Sequence, residues 1–131
     1  MHRITGQEIA RATKFEDGIV ACDNPVDDVM RGDGAMTHDA AVDKGAYYTI
    51  PLRCLLPESV ANLAFAGRLI CADPVAFASV RGMPQCMAMG QAVGTTAAMA
   101  LDAKCRVQEV DRRQVVAALV AEGVNRIGGA A

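Results

Sequence analysis

Pro84-Gln85-Cys86-Met87-Ala88-Met89-Gly90-Gln91-Ala92-Val93-Gly94-Thr95-Thr96-Ala97-Ala98, continuing to Ala103, is the longest helix that the sequence predicts. Proline suits a first helical turn, where its absent N–H has no partner to lose, and no second proline interrupts the run. Gly90 and Gly94 fall about one turn apart and are followed by Ala97 and Ala98. That spacing predicts a smooth face on which another backbone or a flat ligand can rest. Upstream, Leu63-Ala64-Phe65-Ala66 is short, continuous and apolar and meets Gly67-Arg68. This is the pattern of a strand buried on both faces.

Further out, Tyr47-Tyr48-Thr49-Ile50-Pro51-Leu52-Arg53-Cys54-Leu55-Leu56 is rich in strand formers, and Pro51 predicts an edge or a bend. Alternation predicts Tyr48, Ile50 and Leu52 on one face and Tyr47, Thr49 and Arg53 on the other. Phe15 to Cys22 reads as a turn into a strand. Thr5 and Glu8 have capping-box spacing for a short helix, and Asp111-Arg112-Arg113-Gln114 opens a last helix that Gly123 stops. Residues 23–45 lack periodicity, and loops of that length are usually functional or mobile. The expected fold class is α+β, a few-stranded and mostly antiparallel sheet with two main helices.

The charge balance is 13 Lys and Arg against 15 Asp and Glu, net −2. A nucleic-acid or anionic-membrane surface needs clustered positive charge, so neither partner is expected. At 131 residues the chain suits one domain, and 52% hydrophobic residues with 21% charged predict a globular protein. Aromatic residues make up only 4%, so the core must rely on close backbone approach. Five scattered cysteines without Cys-x-x-Cys spacing give no zinc or iron–sulfur pattern. Their odd number and apolar surroundings predict reduced thiols and a cytoplasmic location.

Common catalytic motifs are absent from the sequence. Gly32-Asp33-Gly34 has Thr37 where a third dinucleotide-binding glycine should be, and Gly90 to Thr96 lacks the lysine of a phosphate loop. Ser59, Ser79, His2 and His38 sit in no nucleophile elbow. His38 with Asp39 and Asp43 reads either as a metal-binding loop or as a solvated one, and lacks ligand-loop spacing; no metal site is expected.

In order along the chain come Ile50-Pro51-Leu52-Arg53, Asn62-Leu63-Ala64-Phe65-Ala66-Gly67-Arg68, Ser79-Val80-Arg81-Gly82-Met83-Pro84 and Cys86-Met87-Ala88-Met89-Gly90-Gln91-Ala92-Val93-Gly94-Thr95. Together they resemble the C-terminal end of the FAD-dependent oxidoreductase family, whose distant relatives include the flavoprotein subunit of heterodisulfide reductase. The resemblance covers about the last two thirds of the chain. Arg3-Ile4-Thr5-Gly6 and Phe15-Glu16-Asp17 are similar to the segment just upstream in that family.

The resemblance implies a C-terminal fragment, residues 1–131, that completes an α/β FAD-binding fold of Rossmann type whose N-terminal nucleotide-binding half lies elsewhere. It divides the chain into an upstream segment 1–46, a FAD-proximal segment 47–104 and a terminal helix 105–131. Ala66, Gly67 and Arg68 are then expected beside the FAD ribityl and pyrophosphate, since glycine permits close approach and arginine pairs with phosphate; a tight turn with a surface arginine is the plainer reading. Pro84 to Gly90 becomes a helix start aimed at the flavin, with backbone contacts at Met87, Ala88 and Met89 and with Gly90, Gln91 and Gly94 packing nearby. Ala/Gly helix packing is the alternative there. Arg53 and Arg81 are the candidates for catalysis on the substrate side of the ring, either holding a small organic anion or stabilising reduced flavin; each serves equally as a structural ion-pair partner. Tyr48 is a candidate proton donor or a half-buried strand tyrosine. In the family pattern Asp73-Pro74-Val75 often reads Thr-His-Glu, so the usual acid/base groups are replaced here. The other function class is a non-catalytic interaction module or homo-oligomer, without cofactor, using the alanine-rich helix face.

Overall fold

Thr5 and Glu8 close a capping box around α1 (Gly6–Ala10): the Glu8 amide donates to Thr5 Oγ1 and the Thr5 amide to Glu8 Oε2. In this computed structural model residues 1–28, 37–39, 42–124 and 127–128 are described, with the backbone alone at 28 and 37–39. The Gly32-Asp33-Gly34 segment and the His38 and Asp39 side chains therefore lie outside the description.

β1 (Gly18–Cys22) pairs antiparallel with β4 (Tyr48–Pro51), Val20 opposite Ile50 and Cys22 opposite Tyr48, with an irregular register between Gly18 and Val20. β2 (Val26–Asp28) and β3 (Thr37–Asp39) form a second antiparallel pair. The chain is α+β with antiparallel two-stranded sheets. Helices are more numerous than expected, because α2 (Pro74–Val80) joins α1, α3 (Met83–Ala103) and α4 (Arg112–Ala121).

β4 departs from the expected alternation, since Tyr48, Thr49 and Ile50 are all fully buried. The segment before β1 covers one side of the strand: the Thr49 amide donates to the Thr13 carbonyl, and Thr49 Oγ1 accepts from the Phe15 amide at 2.8 Å. Pro51 ends the strand, and Leu52–Cys54 turns away as one 3₁₀ turn anchored by the Leu52 amide on the Asp17 carbonyl. Met89 and Ala92 of α3 and Val115 and Leu119 of α4 complete the core against Ile19, Ile50 and Leu55.

Leu63 to Ala66 is not the doubly buried strand that its composition predicts. Among the described residues it joins no sheet; Phe65 alone of this run donates its amide, to the Leu55 carbonyl at 2.8 Å, and Leu63 is 36% exposed. Apolar content signals a need for burial but does not name the surface that supplies it.

Asp73 explains α2. Its Oδ1 accepts from the Ala76 amide at 2.7 Å, capping α2, while Oδ2 accepts from the Gly6 amide at 3.0 Å at the start of α1. One carboxylate thus joins two helix starts where charge favours an anion. Asp73→Ala is expected to cost about 2 kcal/mol, roughly 1 kcal/mol per lost cap. Urea unfolding should show a lower midpoint at unchanged slope, with Asp73→Asn recovering part of the loss.

Candidate functional site

α3 begins without a side-chain cap. Its N-cap is Gly82, in extended conformation, and its first residues are Met83, Pro84 and Gln85. The amides of Met83 and Gln85 have no intrahelical partner, whereas Cys86 already donates to the Gly82 carbonyl at 3.0 Å. A helix of 21 residues presents about half a positive charge at this end. The N–H groups of Met87, Ala88 and Met89 lie beyond the first turn and are consumed by the helical ladder. The expected backbone contacts at Met87, Ala88 and Met89 thus fall within the ladder, and the donors without an intrahelical partner are the amides of Met83 and Gln85.

The side chains of Gln85 and Asn24 fold back over Gly82. A Cβ there would press on Gln85 Oε1 and stand 3.2 Å from Asn24 Nδ2. Gln85 is buried and donates through Nε2 to Cys22 Sγ at 3.2 Å, so the first turn of α3 is fastened to the end of β1.

Beside this turn lies Gly67, which opens the 3₁₀ turn Gly67–Leu69 after extended Ala66. Its φ is +63°, in the left-handed region, and a Cβ would meet Cys86 Sγ at 3.4 Å. Gly67 and the start of α3 are therefore in contact, as the sequence pattern requires if both serve one ligand. Arg68 is exposed and has no ion-pair partner among the described residues. Arg81, just before Gly82, donates through Nη2 to the Asp27 carbonyl at 2.9 Å. Gly90 and Gly94 face open space, with Met83 and Met87 exposed on either side of Pro84 and Leu101 farther along the helix. Gln91 instead donates to Glu122 Oε2 at 2.8 Å, which sets α4 antiparallel along α3.

Tyr48 takes no part in an open site. Its hydroxyl lies 2.7 Å from Ser79 Oγ, which donates to the Asn24 carbonyl at 2.6 Å, so the phenol proton is committed to Ser79. Burial and neighbouring Cys22 hold its pKa well above the ordinary value. Burial likewise pushes the Cys54 thiol up to about 12. Both groups stay neutral in the folded chain while the unfolded chain ionises at ordinary values, 9.0 for the thiol and 10.0 for the phenol. Between those values and the raised ones the folded state binds more protons, so stability falls as pH rises. Thermal unfolding followed upward from about pH 9 should show a steady decline, and Tyr48→Phe together with Cys54→Ala should flatten it.

Arg53 lies elsewhere. Its Nη1 donates to Asp17 Oδ1 at 2.6 Å, its amide donates to Oδ2 at 3.2 Å, and its guanidinium stacks 5.1 Å from the Phe15 ring. Asp17 precedes Gly18 at one end of β1, while Cys22 at the other end holds Gln85. The four-residue rise between Gly18 and Cys22 is about 13 Å. Arg53 and Arg81 are therefore not brought together, and Arg53 is an ion-pair partner at the far end of the sheet. Among the described residues no group of His, Cys, Asp or Glu could hold a metal ion. Nor is any helix there long and apolar enough to cross a membrane.

The chain is therefore an α+β chain that sets a positive-φ glycine turn against an uncapped helix start. The model of the FAD dependent oxidoreductase family matches residues 1–119. The chain belongs to that family. No curated protein and no solved structure matches it.

Proposed function

We propose that this chain is the C-terminal part of a FAD-dependent oxidoreductase and supplies one wall of its cofactor site. The observation that carries the reading is the contact between Gly67 and the first turn of α3, within a chain whose family uses FAD. The residues fit the group. The exposed, uncapped N–H of Met83 suits an electron-rich ring edge, Gly67 holds the turn against Cys86 beside it, and Arg68, exposed and without an ion-pair partner among the described residues, suits a pyrophosphate. Bound flavin supplies the transfer of hydride or electrons to or from an organic substrate.

This chain's own residues bind and orient. Gln85, fastened to Cys22, fixes the direction of the first turn, and Asp73 fixes α2 behind it. Arg81, steadied by the Asp27 carbonyl, places a cation one residue before the N-cap Gly82, where it favours negative charge near α3. A Rossmann-type nucleotide-binding half covers the exposed face of Met83, Met87 and Leu101 and packs on the Leu63–Ala66 run at its exposed Leu63. The apolar exposure of both segments supports this. The same exposure supports a second reading, a cofactor-free interaction module that self-associates through α3.

An absorbance scan after adding FAD and gel filtration distinguishes them. It is run on this chain and on the chain joined to an upstream nucleotide-binding half. A flavin spectrum retained only by the joined protein is the expected result; flavin on neither, with self-association by sedimentation, favours the module.

A further inference from the structure

At the start of α4, where the turn before β1 and the Leu52–Cys54 turn meet it, the surface opens into a cleft of about 280 Å³. Three arginines line it, Arg53, Arg112 and Arg113, together with Glu16, Asp17, Asp111 and Val110. The charges are unequally committed. Asp17, nearly buried, is held by Arg53 at 2.6 Å. Glu16 pairs with Arg113 at 3.1 Å, both well exposed. Asp111 accepts from the Arg113 amide at 2.9 Å and is offset by the positive end of α4. Arg112 has no ion-pair partner among the described residues. Arg53 uses Nη1 on Asp17, and a guanidinium has five N–H donors, so its remaining edge is open to a ligand.

We propose that this cleft binds a small organic carboxylate, held between the guanidiniums of Arg53 and Arg112. The inference does not rest on the flavin reading, and the cleft lies at the opposite end of β1 from the α3 start. The planar fork of arginine matches the two oxygens of a carboxylate. One uncommitted cation matches one negative charge. Exposed Glu16 and the nearly buried Asp17 oppose a dianion, which disfavours phosphate. Val110 and the arginine stems supply an apolar wall for the organic part. The cleft volume of about 280 Å³ leaves room for a molecule the size of benzoate.

Benzoate is therefore the probe, titrated into the isotope-labelled 131-residue chain while backbone amide shifts are followed. Saturable shifts at Arg112 and Arg113 in the millimolar range are expected. Arg112→Ala should weaken binding about tenfold, the loss of one charge-assisted contact, with Arg112→Lys retaining part of it. Arg11→Ala, which removes an equal charge outside the cleft, should bind as the parent does. Far-UV circular dichroism matches each variant to the parent beforehand. Three results overturn the proposal: no saturable shift at these amides, equal binding by Arg112→Ala, or inorganic phosphate binding as tightly as benzoate.

Discussion

Gly18→Ala is expected to destabilise the chain by about 3 kcal/mol, the upper end of the overpacking range, and to lower the thermal midpoint by about 10 °C. A Cβ at this position would stand 2.5 Å from Thr49 Oγ1, 2.7 Å from Thr49 Cβ and 2.9 Å from the Phe15 carbonyl oxygen. None of the three can retreat. Thr49 is fully buried in β4, and its Oγ1 is the acceptor for the Phe15 amide. The Phe15 carbonyl receives the Gly18 amide at 2.9 Å, and the Gly18 carbonyl receives the Gly128 amide at the same distance. Relief requires opening the β1–β4 pair where its register is already irregular, and Asp17 with its Arg53 partner lies one residue away.

Thr49→Ala gives the argument its sharper form. It removes the 2.5 Å contact but leaves the Cβ and carbonyl contacts, and it strips the Phe15 amide of its buried acceptor, at about 1–3 kcal/mol. The double variant should therefore be less stable than Gly18→Ala alone. Rescue in a two-state thermal melt would show that the clash lies with the hydroxyl and not with the backbone.

The sequence made local signals legible and long-range partners illegible. The α1 capping box, the start of α3 near Pro84 and the end of α4 near Gly123 are specified by residues within a turn or so of one another, and the structure has them. Gly123 has φ +94°, the conformation a helix-ending glycine takes. α2 went unread because seven residues are too few to show a period, although Asp73-Pro74 is a proper helix opening. The role of Arg53 is set by Asp17, 36 positions earlier, and no spacing rule connects them. Alternation puts Thr49 on the face opposite Tyr48 and Ile50, yet it is buried with them and its hydroxyl holds the Phe15 amide. At the candidate site, glycine and proline words located the Gly67 turn and the α3 start. Which amides remain open depends on a helix boundary, which sequence fixes only to within a few residues.

Gly67→Val tests the proposed site where it is most constrained. In the chain joined to a nucleotide-binding half, it should reduce retained flavin at least tenfold, read as the ratio of flavin to protein absorbance after gel filtration. A β-branched residue at φ +63° is a true outlier, so the turn must rearrange. Rearrangement moves Ala66 and Arg68, which flank it, and the valine methyls extend toward Cys86, whose Sγ already lies 3.4 Å from the Cβ position. Gly67→Ala separates the two causes. It keeps ordinary contact with Cys86 and carries only the left-handed backbone cost of about 1–2 kcal/mol, so its flavin retention should fall between parent and valine. Because the turn is short and its neighbours Arg68 and Leu69 are exposed, the fold of the short chain should survive both changes, its melting point falling by about 5 °C for Gly67→Ala and further for Gly67→Val. A stable Gly67→Val protein that retained its full flavin would remove Gly67 from the cofactor wall. The α3 start would then have to reach the flavin without the turn beside it.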